Sequence, residues 1–265
     1  MVSSKSIQLC LAVNTIVLCF AAAHYAFLES VNYNFTLTIV SVYFKDFLIV
    51  EALNGLVSQR RYIFYNDIPR LQEFDTQDFV STYGVEALSF VGALAMAPPT
   101  TSPALEYLLF IPNSFVFELL FDFFHYWTHR FGHSHPLIYK HIHKLHHSDP
   151  LVNAYNTFHH TFADIVLTNA VPILLTSYLF PLPRFTLTLL FWFKTIVEVS
   201  GHTGKDTTSS FLQFIYLPRL FGIELYSRDH GLHHYNPNFN FSKRFSIWDK
   251  VFGTFKPGTT LRDIE

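Results

Sequence analysis

Histidine at helical spacing is the feature of this chain with chemical content. The sequence holds 15 histidines. Most fall in three clusters: His125, His129 and His133; His143, His146 and His147; and His230, His233 and His234. Neutral imidazole is the commonest metal ligand near neutral pH, and residues three and four apart share a helix face. At about 100° per residue, His125, His129 and His133 drift by about 40° per step, and each His-x-x-His-His run covers about 100° of arc. Each cluster is therefore expected to lie on a helix and to aim its imidazoles at one point. A metal site needs that arrangement and core packing does not. By the same geometry His141 faces away from His143. His135, followed by Pro136, and His24, alone in an apolar stretch, are read as polar or interfacial side chains. His159, His160 and His202 lie outside the clusters, and spacing alone does not assign them.

So many imidazoles exceed what one tetrahedral zinc can use, and they suit two ions with open positions. Imidazole by itself does not choose among zinc, iron, copper and nickel. Oxidising an unactivated C–H bond needs a redox centre and O2, which zinc cannot supply. The Glu-x-x-His pairs of soluble di-iron bundles do not accompany these clusters, so the centre would be histidine-rich. His-Glu-x-x-His, the signature of zinc hydrolysis on a helix, is absent as well.

The elements that must position these groups are apolar. Of 265 residues, 50% are hydrophobic and 14% charged, with 30 phenylalanines and a net charge of -2. That balance leaves too little polar surface for a soluble protein of this size and no basic field for nucleic acid. Six apolar runs, 7–28, 35–53, 79–97, 104–124, 162–180 and 184–200, approach the roughly 20 residues that cross a bilayer. The first is read as a retained anchor rather than a cleaved signal. The fourth is expected to kink or break at Pro112-Asn113, and Pro181-Leu182-Pro183 implies a hairpin between the last two. Lys45 and Asp46 in the second run are either snorkelling side chains on a half-buried helix or functional groups. Lys194 and Glu198, four apart, are expected to pair. Cys10 and Cys19 are too far apart along one helix for a disulfide. Lysine and arginine concentrate in the loops that share a side with the histidines, which puts that side in the cytosol. Residues 125–160 and 203–265 are too polar to span. The amphipathic stretch from Phe245 to Phe255 is expected to cover the site or lie at the interface. The expected fold is an all-α polytopic membrane helical bundle of about four to six spans with a cytosolic His-rich helical cap. It forms one membrane domain over 1–265, with 1–121 as the transmembrane anchor region.

Tyr126-Trp127-Thr128-His129-Arg130 to His133, then Pro136 to His147, then His230-Gly231-Leu232-His233-His234 with Asn238, Asn240, Trp248-Asp249-Lys250 and Phe252-Gly253-Thr254, form a recognisable series. The series resembles the fatty acid hydroxylase/sterol desaturase superfamily, with residues 122–255 as the catalytic region. The resemblance implies a di-iron, O2-activating centre held by His129, His133, His143, His146, His147, His230, His233 and His234. It implies further ligands from His202 and from His159 or His160, the choice between the doubled residues staying open. His125 lies outside the motif and is held either as a ligand or as a neighbour of the ligands. The implied reaction inserts oxygen into a C–H bond of a sterol or related lipid. Desaturation of the sterol C5 type and fatty acid hydroxylation are the alternatives on the same centre. Electrons would come from NAD(P)H through a cytochrome b5 or reductase partner, in the endoplasmic reticulum membrane, with the site facing the cytosol. Two readings of other classes remain: a zinc-dependent membrane lipid hydrolase, and a non-enzymatic metal- or haem-carrying membrane protein. Metal analysis and a haem spectrum separate them.

Overall fold

Apolar runs free of proline set the first three helices, α1 (Ser4–Ser30), α2 (Phe35–Val57) and α3 (Thr76–Met96). The computed structural model describes residues 4–57, 76–148, 154–205 and 217–258. Asn34 starts α2, its carboxamide oxygen accepting from the Leu37 amide at 3.2 Å. After α4 (Pro103–Leu108), α5 (Phe110–Ser134) carries the first histidine cluster. The fourth apolar run therefore breaks at Leu109, a little before the expected Pro112. Proline is tolerated in the first turn of a helix, where its missing N–H has no partner to lose, so Pro112 starts α5 rather than interrupting it.

Then come α6 (Pro136–Ile138), a π turn over Tyr139–His143 and a 3-10 turn over Ala154–Phe158. Next, α7 (Phe162–Ile165), a π segment at Val166–Ala170 and α8 (Val171–Leu179) run on from one another, the bulge lying just ahead of Pro172. Proline removes one ladder bond and crowds the preceding turn, and a π bulge relieves both. The chain continues with α9 (Arg184–Gly201), α10 (Leu217–Leu220), α11 (Ser227–Tyr235) and α12 (Ile247–Val251). Every regular element among the described residues is helical.

Leu11–Ser30 and Phe162–Leu179 are long and apolar enough to cross a membrane, and Val80–Met96 is a shorter apolar helix. The run expected as a sixth span, α9, is the central post of the fold. It packs against α1, α2, α3, α4, α5 and α11 and is buried from Phe185 to Ser200. Lys45 and Asp46 do not snorkel. Both are buried, 2.6 Å apart, and Lys45 Nζ also donates to Thr195 Oγ1 of α9 at 2.7 Å. Lys194 pairs with Glu198 at 2.9 Å, as its spacing implies, and also with Glu86 of α3 at 2.8 Å. His24 is a half-buried junction residue: Nε2 lies 2.9 Å from Ser41 Oγ, and Trp192 Nε1 donates to Nδ1 at 3.2 Å.

Candidate metal centre

Two groups of imidazoles converge where α5, the turn at residues 139–147, α9 and α11 meet. His129, His133, His143, His147 and His233 form the first, and His146, His202, His230 and His234 the second. Within each group the ligand-type nitrogens lie within 4.8 Å of one another. The groups adjoin: His147 and His234 are 4.7 Å apart between ring centroids, and His146 and His147 are 5.4 Å apart.

The partition corrects the expectation that each cluster aims at one point. His143 and His147 enter the first group while His146 enters the second; His230 and His234 enter the second while His233 enters the first. Residues four apart on a helix differ by about 40°, but positions i+3 and i+4 differ by about 100°. On α11 that angle carries His233 across to the other group. The second cluster is also not on a regular α-helix, since Tyr139–His143 is a π turn and 144–147 a plain turn.

Hydrogen bonds fix the rings. His129 Nδ1 donates to the Phe241 carbonyl at 2.7 Å, His233 Nδ1 to the Phe239 carbonyl at 2.6 Å and His202 Nδ1 to the Glu198 carbonyl at 3.0 Å. His143 Nδ1 donates to both oxygens of Asp164, at 2.8 and 2.9 Å. With Nδ1 carrying the proton, the inward Nε2 of each of these rings is a bare lone pair. Yet His129 Nε2 and His143 Nε2 lie 3.1 Å apart, as do His147 Nε2 and His143 Nε2. In the second group His202 Nε2 lies 2.9 Å from His230 Nε2, which lies 3.2 Å from His234 Nε2. Nε2 of His133 and of His233 is buried with no hydrogen-bond partner. Lone pairs facing one another at such distances repel unless a cation sits among them, so the donor set fits a metal ion in each group.

Burial keeps these imidazoles neutral, the form that ligates. It lowers the pKa of His202 and of His233 to about 3 and of His133 to about 2, with help at the last two from neighbouring imidazoles. His129, His146, His230 and His234 are pushed well below the ordinary value, again chiefly by burial.

The structure does not bring His125, His159 or His160 into either group. His125 is buried beside His129, with Nδ1 2.6 Å from the Thr168 carbonyl. Of the doubled pair, His160 faces the centre. It stacks on His146 at 3.9 Å and 11°, and its Nδ1 reaches Asp164 Oδ2 at 2.7 Å. His159 is only half-buried. His141 is exposed, and the exposed His135 caps α6 through Nδ1, which accepts from the Leu137 amide.

Sequence reasoning missed the residues that hold the ring acceptors. The carbonyls of Phe239 and Phe241 sit on the loop after α11. Asp249 accepts the amides of Phe241 and Ser242 at 2.8 and 2.9 Å, and Asp122 accepts those of Lys243, Arg244 and Phe245 at 2.7, 2.8 and 2.9 Å. Asn240 bridges to Asp229 and Lys256 through their carbonyls. The available signal was an aspartate in the apolar run Phe121-Asp122-Phe123-Phe124, since a carboxylate is retained there only with partners.

Relatives with curated descriptions share this region. The chain is 33% identical to the Delta(7)-sterol 5(6)-desaturase erg3B of Aspergillus fumigatus over 171 residues, 62% of this chain and 45% of the relative. It is 33% identical to a putative methylsterol monooxygenase of Dictyostelium discoideum over 63% of this chain and 58% of the relative. It is 30% identical to the fatty acid hydroxylase vlmA of a Lecanicillium species over 52% of this chain and 40% of the relative. The match thus spans about half the length of these relatives. No solved structure matches the chain. Residues 114–254, which carry every histidine of both groups, match the sequence profile described as fatty acid hydroxylase, and the chain belongs to that family.

Proposed function

We propose that this protein is a membrane-bound, metal- and O2-dependent lipid oxidoreductase that hydroxylates a sterol or related lipid. Desaturation of the sterol C5 type and fatty acid hydroxylation are the alternatives on the same residues. The proposal rests on one observation above the rest: two adjoining sets of imidazoles whose ring nitrogens converge, with the Nδ1 protons of His129, His143, His202 and His233 committed outward. His129, His133, His143, His147 and His233 would hold one ion, and His146, His202, His230 and His234 the other. His160 rather than His159 would support the second ion through its stack on His146, and His125 would brace His129 from behind.

A pair of irons, when bound, supplies the redox equivalents that activate O2. Hydroxylation consumes the lipid, O2, two electrons and two protons and yields the alcohol and water. Desaturation takes the same inputs and yields the alkene and two waters. The chain's own contribution is to keep the imidazoles neutral, fix their tautomers and exclude bulk water from the rings. The names of the relatives support a sterol or acyl lipid as substrate. The proposed setting is the endoplasmic reticulum membrane with the histidine cap, residues 122–255, on the cytosolic side of the anchor region 1–121. The proposed donor is cytochrome b5 or a reductase, fed by NAD(P)H.

Metal analysis with paired variants tests the proposal. The wild-type protein should carry two ions, iron rather than zinc. His147→Ala and His233→Ala should deplete one, His146→Ala and His234→Ala the other, although His146 and His147 are neighbours. Lipid profiling of cells with and without the protein should show a product heavier by one oxygen or lighter by two hydrogens. Two bound zincs with a hydrolysed lipid would overturn the assignment in favour of a hydrolase.

A further inference from the structure

The turn after α10 does not behave as part of a cytosolic cap. Leu220 and Phe221 are 78% and 63% exposed, among the most exposed large apolar side chains of the molecule. The ring and side chains packed beside them are apolar. The Phe221 ring lies 6.3 Å from that of Phe115, and Leu217 and Ile223 pack with Phe115 and Leu119 against Val197 and Leu225. Phe115 precedes His125 by ten residues, about 15 Å along the helix. It belongs to the apolar run 104–124, whose outer face there shows Leu108, Leu109, Ile111 and Val116. The turn therefore reaches back from the metal level and ends beside the apolar face of the bundle.

Its backbone suits an apolar medium. The amides of Phe221, Gly222 and Ile223 donate to the carbonyls of Leu217, Arg219 and Pro218 at 3.4, 3.1 and 2.8 Å. Pro218 has no N–H to satisfy. The Gly222 carbonyl accepts from Lys250 Nζ and the Ile223 carbonyl from the Ser246 amide at 2.9 Å. A chain segment at lipid depth must meet its backbone hydrogen bonds from within the protein, and this one largely does. Gly222, at φ 60°, makes the reversal that returns the chain. Arg219, exposed, and Lys250 supply cations at headgroup level. In the sequence, Phe211 to Ile223 carries a single charge, Arg219, over a length typical of interfacial rather than spanning segments.

We infer that Leu217–Ile223 is a membrane-inserted lip: Leu220 and Phe221 enter the acyl region of the cytosolic leaflet, and Arg219 meets the lipid phosphates. The lip fixes the depth of the cap. Leu225 and Tyr226, two and three residues after it, line a small pocket of about 20 Å³ with His202, His230 and Lys243, so the lip is followed at once by residues that touch the second histidine group. The inference rests on the membrane reading above, and its test separates the two.

The full-length protein, with Cys10→Ser and Cys19→Ser, is placed in nanodiscs of phosphatidylcholine with one part in five phosphatidylserine. A fluorophore is attached at Leu220→Cys, Phe221→Cys, Phe20→Cys in α1 or Tyr235→Cys on α11. Lipids bearing a nitroxide high on the acyl chain should quench the labels at 220, 221 and 20 several-fold more than the label at 235, while aqueous iodide should reverse that order. Quenching at 20 but iodide access at 220 and 221 equal to that at 235 would overturn the lip and leave the membrane reading intact. Iodide access at 20 as well would overturn both. A separate pair of variants, Leu220→Asp and Phe221→Asp, should retain both metal ions and show weaker lipid quenching at the remaining labelled position. Unchanged quenching in either would also count against insertion.

Discussion

A neutral imidazole has one proton to place, and here other groups place it. Asp164 is the most consequential of them. One buried carboxylate receives Nδ1 of His143, which belongs to the first group, and Nδ1 of His160, which stacks on His146 of the second. Removing a carboxylate that orients a ligating histidine typically weakens metal affinity by about 10–100-fold. Asp164→Asn should do so at both ions, because a neutral carboxamide oxygen holds an imidazole N–H less strongly than a carboxylate and the NH2 group opposes one of the N–H donors. Titration of the metal-free protein with Co2+, followed by its visible spectrum, should show both binding steps weakened. Loss at the first group alone would confine Asp164 to His143. Eight of the nine histidines in the two groups were legible from spacing, and His202 only from the family resemblance. Their division was not. On α11 it depends on the 100° between i+3 and i+4, which in sequence looks like a single face, and in the second run on a departure from the α-helix that spacing does not record. Nor could carbonyl acceptors such as Phe241 be read, because any residue type supplies a carbonyl.

The loop between α11 and α12 is the element on which the first group depends. It carries both carbonyls that hold His129 and His233, and Asp122 anchors it by three amides. Each buried donor left without an acceptor costs about 1–3 kcal/mol. Asp122→Ala should therefore lower the apparent melting temperature markedly and release the first ion at lower chelator concentration than the second. Equal release of both would mean that the loop acts on the fold and not on the tautomers. Helix existence was readable from the apolar runs, because each run long enough to form a helix did so. The role of each helix was not. α9 reads as an apolar run, and its Lys194, Thr195 and Glu198 meet partners from α2, α3 and the loop before α12, which bury it. A one-dimensional pattern records that a residue is apolar and not whether lipid or another helix covers it.

Across the whole molecule, buried charge joins the loop between α11 and α12 to α5, α9 and α3. Arg244 is fully buried; its Nε donates to Glu118 of α5 at 2.8 Å and its Nη2 to Glu198 of α9 at 3.0 Å. Glu198 also takes Lys194 and Lys243, and Lys194 continues the chain to Glu86. Breaking one partner of such a network leaves the others buried and uncompensated, at about 3–5 kcal/mol. Arg244→Met should lose about that much in a denaturant or thermal series, and Arg244→Lys should recover only part, since an ammonium cannot serve both carboxylates in the guanidinium geometry. Acid should act on the same assembly by a different route. In the unfolded chain each histidine protonates near 6.5; in the folded protein burial holds His202 and His233 at about 3 and His133 at about 2. Below 6.5 the unfolded state therefore binds more protons than the folded one, so stability falls as pH falls, and continues to fall until about pH 3. One pH unit below its ordinary pKa, each such histidine contributes about 1.4 kcal/mol less. The chelator-treated protein in detergent should thus melt at progressively lower temperature from pH 7 to pH 5, and a variant with His133→Phe and His233→Phe should show a shallower slope. A wild-type melting temperature that is flat over that range would mean that the buried imidazoles take up protons in the folded state.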